Sequence, residues 1–393
     1  MRKLLPGIAI AFAMIGAAAC GGSSDPAPAP TTTPGLSPAP EATPSPAPQP
    51  PRVPELSQDW EIIRPGGETV CSRGTEYAYA VRGGTENKLV IDFMGGGACW
   101  NELTCSVAGA IFNEEVNPDA LLRAGGQGIY DRDNPENPFR DWYHVFIPYC
   151  TGDVHWGNNL ETYGEGEDAF QIHHKGAVNA GAVMDWVFEN FERPEKIFVT
   201  GCSAGAYGSI GWAPYVMDHY GDSEIVQVGD CGAGVITDDF FRNSFPSWNA
   251  FDQSPDFIPG LDPEQVDLFE TDLAYMYGQI GSHFPQFKVG QYNTMYDNNQ
   301  TFYYNAMGGD GGAAGWSEGM NAMIESSHQQ AENFYSYTAA GDQHCIIVSD
   351  NFYNVQENGL RLVDWFADIA NGKEVDQRVM CTNCDRPTGS PEE

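Results

Sequence analysis

The stretch VTGCSAGAYGS, Val199 to Ser209, places a serine between two glycines in a G-x-S-x-G pattern, directly after an apolar run. The run KIFVT, Lys196 to Thr200, has the composition of a buried strand, and Ala206 onward can start a helix. A serine on a tight strand-to-helix turn is the nucleophile elbow of an α/β hydrolase. The flanking Gly201 and Gly205 suit a turn packed closely against strand and helix. A tight turn with an ordinary serine is the plainer alternative, so the surroundings of Ser203 decide.

Similar apolar, β-rich runs stop at glycine-rich or polar loops throughout the chain. They are Lys88 to Met94, Tyr143 to Tyr149, Glu224 to Gly229, Gln286 to Tyr292 and Asn333 to Ala339. Near-continuous apolar strands are what a parallel sheet covered on both faces requires. Helical periodicity falls between several of them. In GAVNAGAVMDWVFENF, Val183, Val187 and Phe191 recur every four residues beside Trp186. In GLRLVDWFADIANG, Leu362, Val363, Phe366 and Ile369 share a face, and Gly372 stops it. The expected fold is an α/β-hydrolase-like, doubly wound, mostly parallel sheet with helices on both faces and the site at the carboxyl ends of the strands.

A serine nucleophile needs backbone N–H groups at the developing oxyanion. The loop MGGGACW after the first such strand offers Gly95, Gly96 and Gly97, and Ala204 follows the serine. The base should be a histidine downstream of Ser203. His219 lies too near on the following helix, His283 precedes a strand at its wrong end, and His328 lies in a polar helical stretch. His344, in the loop after the last apolar strand, is the candidate.

The set DFMGGGACWNELTC, PYCTGDVHWG, GCSAGAYGS, YNTMYDNNQ and DQHC resembles the pectin acetylesterase family, in order and at about the family's spacings, over roughly residues 60 to 370. The resemblance implies an α/β hydrolase with a Ser-Asp-His triad that removes acyl groups from oxygen. Carried over, it makes Ser203 the nucleophile, His344 the base and Asp297 the acid, with Gly96, Gly97 and Ala204 as oxyanion donors. Asp342, two residues before His344, is the rival acid. Where members carry Trp before the cysteine of the glycine loop, this chain has Ala98, which leaves the acyl specificity open. His155 and Trp156 in DVHWGNN are expected to line the acyl or leaving-group side, the alternative being packed loop residues.

Cys202 precedes Ser203 and Cys345 follows His344. This CS…HC arrangement is similar to that of tannases and fungal-type feruloyl esterases, in which the two cysteines bond. Cys202 with Cys231 is the alternative. Cys99 with Cys105 is an expected local pair, and Cys381 with Cys384 a further one. Cys71 with Cys150 would leave Cys231 free.

The chain opens MRKLLPGIAIAFAMIGAAAC, a charged start, an apolar run too short to span a membrane, and small residues before Cys20. Residues 1–20 are read as a lipoprotein-type signal with Cys20 lipidated, or else an ordinary cleavage site. Residues 21–55, rich in Pro, Ala, Thr and Ser, are read as a disordered linker. Residues 56–393 are read as the catalytic domain. Export permits disulfides. The 54 acidic and 19 basic residues give a formal net charge of -35, which argues against a nucleic-acid or anionic-membrane partner. The CTNC pair lacks a second pair for zinc, and GGDGG lacks the Lys and Ser/Thr of a phosphate cradle, so no metal and no cofactor are expected. The composite expectation is an exported, monomeric serine esterase that deacetylates a polysaccharide, attached to a membrane only through Cys20. Aryl-ester or polyester hydrolysis is the alternative, and an inactive surface binding protein the alternative of another class.

Overall fold

A computed structural model describes residues 51–107, 109–121 and 126–391. Nine strands form the central sheet: β1 (Glu61–Ile63), β2 (Tyr79–Arg82), β3 (Lys88–Phe93), β4 (Tyr143–Ile147), β7 (Lys196–Cys202), β8 (Glu224–Asp230), β9 (Lys288–Thr294), β10 (Phe334–Ala339) and β13 (Arg378–Met380), in the order β1-β2-β4-β3-β7-β8-β9-β10-β13. A hairpin, β5 (Asn159–Tyr163) with β6 (Phe170–His174), and a short pair, β11 (Gln356–Glu357) with β12 (Leu360–Arg361), stand apart from it. From β4 to β13 every neighbouring pair is parallel, and β2 runs antiparallel to β1 and β4. All six apolar runs marked in the sequence lie in this sheet.

The helices are α1 (Glu102–Ser106), α2 (Pro118–Leu121), α3 (Gly176–Asn190), α4 (Ala204–His219), α5 (Asp238–Asn243), α6 (Leu273–His283), α7 (Asn298–Ala306), α8 (Gly312–Gln330) and α9 (Leu362–Ala370). The expected faces are the buried ones. Val183 and Val187 of α3 join one core cluster with Ile197, Val199 and Ile210. Leu362, Val363, Phe366 and Ile369 of α9 join another with Phe198, Val226 and Tyr337. Alternate residues of β7 point into opposite clusters, which is how one sheet divides a core into two layers.

The stretch read as linker needs one correction. Residues 51–55 are docked on the domain rather than free. The Arg52 N–H donates to Glu192 at 2.9 Å, its guanidinium donates to the Glu189 carbonyl at 2.8 Å, and Val53 packs against the core. Residues 1–50, on which the expected signal, Cys20 and the rest of the expected linker fall, lie outside the described residues. Among the described residues no helix is long and apolar enough to cross a membrane.

Candidate active site

Five adjacent parallel strands deliver the candidate residues to one end of the sheet. Strand β3 runs into Gly95–Gly97, β7 into Ser203, β8 into Asp230 and Cys231, β9 into Asp297, and the loop after β10 carries His344. Ser203 itself has φ 59°, as do Cys231 (57°) and Cys345 (62°) within a few degrees. Non-glycine residues in this left-handed region cost of order 1–3 kcal/mol each and persist where the surroundings over-determine them. At Ser203 the surroundings are plain. Its N–H donates to the Asp230 carbonyl at 2.8 Å, and its carbonyl accepts from Ala206 N at 2.9 Å. A Cβ at Gly205 would collide with the Phe93 carbonyl oxygen, so α4 can approach β3 only through glycine.

His344 Nδ1 faces the Asp297 carboxylate, 2.8 Å from Oδ2 and 3.0 Å from Oδ1. Asp297 is fully buried and caps α7. Its Oδ1 accepts from Asn299 N at 2.9 Å and Gln300 N at 2.8 Å, and its Oδ2 from Gln300 Nε2 at 3.1 Å. These donors satisfy the buried carboxylate and fix its orientation. Asp342 is exposed and accepts instead from Asn298 Nδ2 at 2.7 Å. His344 Nε2 is buried and has no hydrogen-bond partner among the described residues, so Ser203 and His344 are not yet joined. Such bonds commonly tighten only when substrate binds.

The glycine loop lies directly on the serine. A Cβ at Gly95 would sit 3.0 Å from Ser203 Cβ, and one at Gly97 (φ 76°) would run into the Ile111 carbonyl. Gly97, Ser203 and Ala204 all face one cavity of about 90 Å³. Its walls are Trp100, Trp156, Tyr207, Phe240, Phe245 and Trp248, with Ala98 at the rim of the glycine loop. A second cavity of about 260 Å³ shares Trp156, Tyr207, Ile236 and Phe245 with the first. The segment from α5 through the turns at Phe245–Gln253 supplies Phe240, Phe245 and Trp248 of this wall, with Phe245 and Trp248 centroids 5.2 Å apart.

His155 does not line the cavity; Trp156 does. His155 is buried because α4 presses on it: a Cβ at Gly208 would lie 2.8 Å from its ring. Burial lowers its pKa to about 4, so the ring is neutral, and its Nε2 bonds the Met94 carbonyl at 2.9 Å. It therefore braces the start of the glycine loop from behind. His155→Phe keeps the ring but loses this donor. It is expected to lower kcat by about a hundredfold with KM nearly unchanged, since about 1 Å of misplacement in a site costs that much. A fall in melting temperature alone, with kcat intact, would make the brace purely structural.

Disulfides join Cys71 to Cys150, Cys99 to Cys105, Cys202 to Cys345 and Cys381 to Cys384, and Cys231 is free and buried. The Cys202 and Cys345 Cα atoms are 5.5 Å apart, so the serine turn and the histidine loop are covalently tied. Asp230, given no role by the sequence reading, holds the same loop: its Oδ2 accepts from Ile346 N at 2.8 Å and Ile347 N at 2.9 Å. Its only signal in the sequence is its place at a strand end. Closing a loop with a sequence separation of 143 contributes roughly 4–5 kcal/mol in the chain-entropy account. Cys202→Ala and Cys345→Ala are each expected to lower the melting temperature by several degrees and to lower kcat, with the double variant no worse than either. Peptide mapping without reduction checks the pairing, and a Cys202–Cys231 peptide would contradict it.

The chain is similar to palmitoleoyl-protein carboxylesterase notum2 of Xenopus laevis, 29% identical over 150 residues, which are 35% of this chain and 28% of that protein. It is 24% identical over 163 residues to pectin acetylesterase 4 of Arabidopsis thaliana, 38% of this chain and 36% of that one. The matched part thus spans about a third of these curated relatives' length. The fold is similar to that of the Wnt deacylase Notum from Drosophila, with a TM-score of 0.60 at 15% identity, covering 84% of this chain and 97% of that one. The family profile for pectinacetylesterase matches residues 57–339, a span that holds Ser203 and Asp297 and stops short of His344. With that match over most of its folded length, the chain belongs to the pectinacetylesterase family.

Proposed function

We propose that the protein is an exported serine carboxylic-ester hydrolase working through Ser203, His344 and Asp297. The observation that carries this is the His344–Asp297 pair at 2.8 Å, tied by Cys202–Cys345 to a serine on a nucleophile elbow. Ser203 attacks the ester carbonyl. His344 Nε2 takes the serine proton and returns it to the leaving alcohol, while Asp297 holds Nδ1–H and stabilises the imidazolium. The N–H groups of Gly96, Gly97 and Ala204 stabilise the oxyanion. Water then cleaves the acyl-enzyme by the same steps. Export, and lipidation at Cys20, rest on the opening sequence alone.

The family favours an acetyl ester on a polysaccharide as substrate. The aromatic cavity beside Ser203 favours a second reading, an aryl or longer aliphatic acyl group, polyesters included. An acetyl group leaves most of that cavity unfilled. The relatives' names point both ways, one to a pectin acetyl ester and one to a palmitoleoyl ester.

A series of p-nitrophenyl esters of increasing acyl length separates the two, run beside acetylated xylan, acetylated pectin and a polyester film. If the acyl group enters the cavity, kcat/KM should rise about fourfold per added methylene at first, from about 0.8 kcal/mol per buried CH₂. A steady fall from acetate onward, with deacetylation of the polysaccharides, would assign the acetyl ester.

A further inference from the structure

Three neighbouring strand ends bring a thiol, a carboxylate and an imidazole together. Cys231 follows β8, Asp297 follows β9 and His344 lies beyond β10. One ligand atom from each lies within 4.8 Å of the other two. We propose that Cys231, Asp297 and His344 form a binding site for a thiophilic divalent cation of the zinc or cadmium kind, whose occupancy switches the esterase off. The switching part rests on the triad proposed above.

The donor chemistry fits such an ion. A tetrahedral site with Zn–S of about 2.3 Å and Zn–N of about 2.0 Å has donor atoms roughly 3.5 Å apart, so the cluster need close by only about 1 Å. Thiolate and imidazole are the soft and borderline ligands that select zinc-like cations over magnesium or calcium. Cys231 is 1% exposed and is the free thiol among the described residues, the others there being in disulfides. Its Sγ accepts a long 3.4 Å bond from Cys345 N and hydrogen-bonds the Asp230 carboxylate. Burial pushes the Cys231 pKa up, and the nearby Asp230 and Asp297 charges push it the same way. Those same two carboxylates attract a dication. Asp230 is itself fully buried. Cys231 also lies on the wall of the cavity that contains Ser203, which gives the ion an entry path. The two other groupings among the described residues, Cys99, Cys105 and His174 and Cys202, His344 and Cys345, each have both sulfurs spent in a disulfide.

Binding releases the thiol proton and changes no oxidation state. Through Nδ1, the cation also displaces the proton shared by His344 and Asp297. Through Nε2, it takes the lone pair that must accept the Ser203 proton. Either mode removes the base, so one bound ion per chain suffices for inhibition.

The test is a cadmium titration of the full chain, followed by thiolate-to-cadmium ultraviolet absorption and by ester hydrolysis in parallel. Wild type should show a charge-transfer band whose growth tracks the loss of hydrolysis, both reversed by EDTA. Ser203→Ala should keep the band. Cys231→Ala should lose the band difference attributable to this thiol, bind cadmium at least about tenfold more weakly, and keep whatever hydrolysis it has when cadmium is added. His344→Ala should weaken the band as well, which covers the case of a misfolded Cys231 variant. Absence of any Cys231-dependent band in wild type, or equal inhibition of wild type and Cys231→Ala, would overturn the site. A Cys231- and His344-dependent band in a protein without ester hydrolysis would support the site and sink the triad reading instead.

Discussion

Ser203→Ala is expected to lower kcat on any accepted ester by on the order of 10⁵–10⁶-fold while the protein stays folded. The size follows from the chemistry: without the hydroxyl no acyl-enzyme forms, and water would have to attack unaided. The intact fold follows from how the turn is held. The hydrogen bonds that fix Ser203 run through its backbone, to the Asp230 carbonyl and from Ala206 N. Alanine keeps the Cβ that φ 59° already accommodates. The cavity, the glycine loop and the His344–Asp297 pair all remain, so a weak ester substrate should still bind with a similar KM. The check is paired: steady-state hydrolysis of p-nitrophenyl esters, and thermal unfolding of both proteins. More than about a hundredth of wild-type kcat in the variant, at unchanged melting temperature, would show that the nucleophile lies elsewhere.

The sheet was legible because its strands are buried on both faces. Such strands read as unbroken apolar runs, and KLVIDF, YHVFI, KIFVT and EIVQV all read that way. The edge strands β1 and β13, and β2 beside β1, have three or four residues and carry no period long enough to recognise. The hairpin β5–β6 pairs NLETY with FQIHH, polar on both strands, so nothing in its pattern marks it as a strand pair. The site divides in the same way. Ser203, the three glycines and His344 sit directly beside strand ends, where position along the chain predicts position in space. Asp230 also stands at a strand end, but the His344 loop it holds lies more than a hundred residues on, and only the folded topology brings the two together. The sequence leaves His155 and Trp156 open between lining the site and packing in their loop, and the two divide between those outcomes. Sequence marks HW as a pair, but the left-handed turn at Val154 and His155 (φ 51° and 68°) sends the two rings to different places. One braces Met94 and the other lines the cavity. Cys231 stood out only as the unpaired cysteine, since its neighbours come from strands about 66 and 113 residues further on (297 − 231 and 344 − 231).

Asp297→Asn should cost about 10⁴-fold in kcat, because the amide reverses the proton on the base. Asp297 Oδ1 accepts from two backbone N–H groups, those of Asn299 and Gln300. An asparagine must therefore set its carbonyl oxygen there. Its NH₂ then occupies the place of Oδ2, against His344 Nδ1 and Gln300 Nε2. Two donors cannot face each other, so the imidazole moves its proton to Nε2 and accepts from the amide at Nδ1. That nitrogen order leaves nothing to take the Ser203 proton. The loss should shrink at high pH, where hydroxide can deprotonate the serine in place of the histidine, and KM should change little. Asp342→Asn is the control. Its carboxylate is exposed and bonds Asn298, so its removal should alter kcat by no more than about twofold. If Asp342→Asn were the crippling change and Asp297→Asn the mild one, the loop after β9 would be a helix cap and no more. His344 would then have to swing towards the exposed carboxylate during turnover, away from the disulfide that ties its neighbour to Cys202.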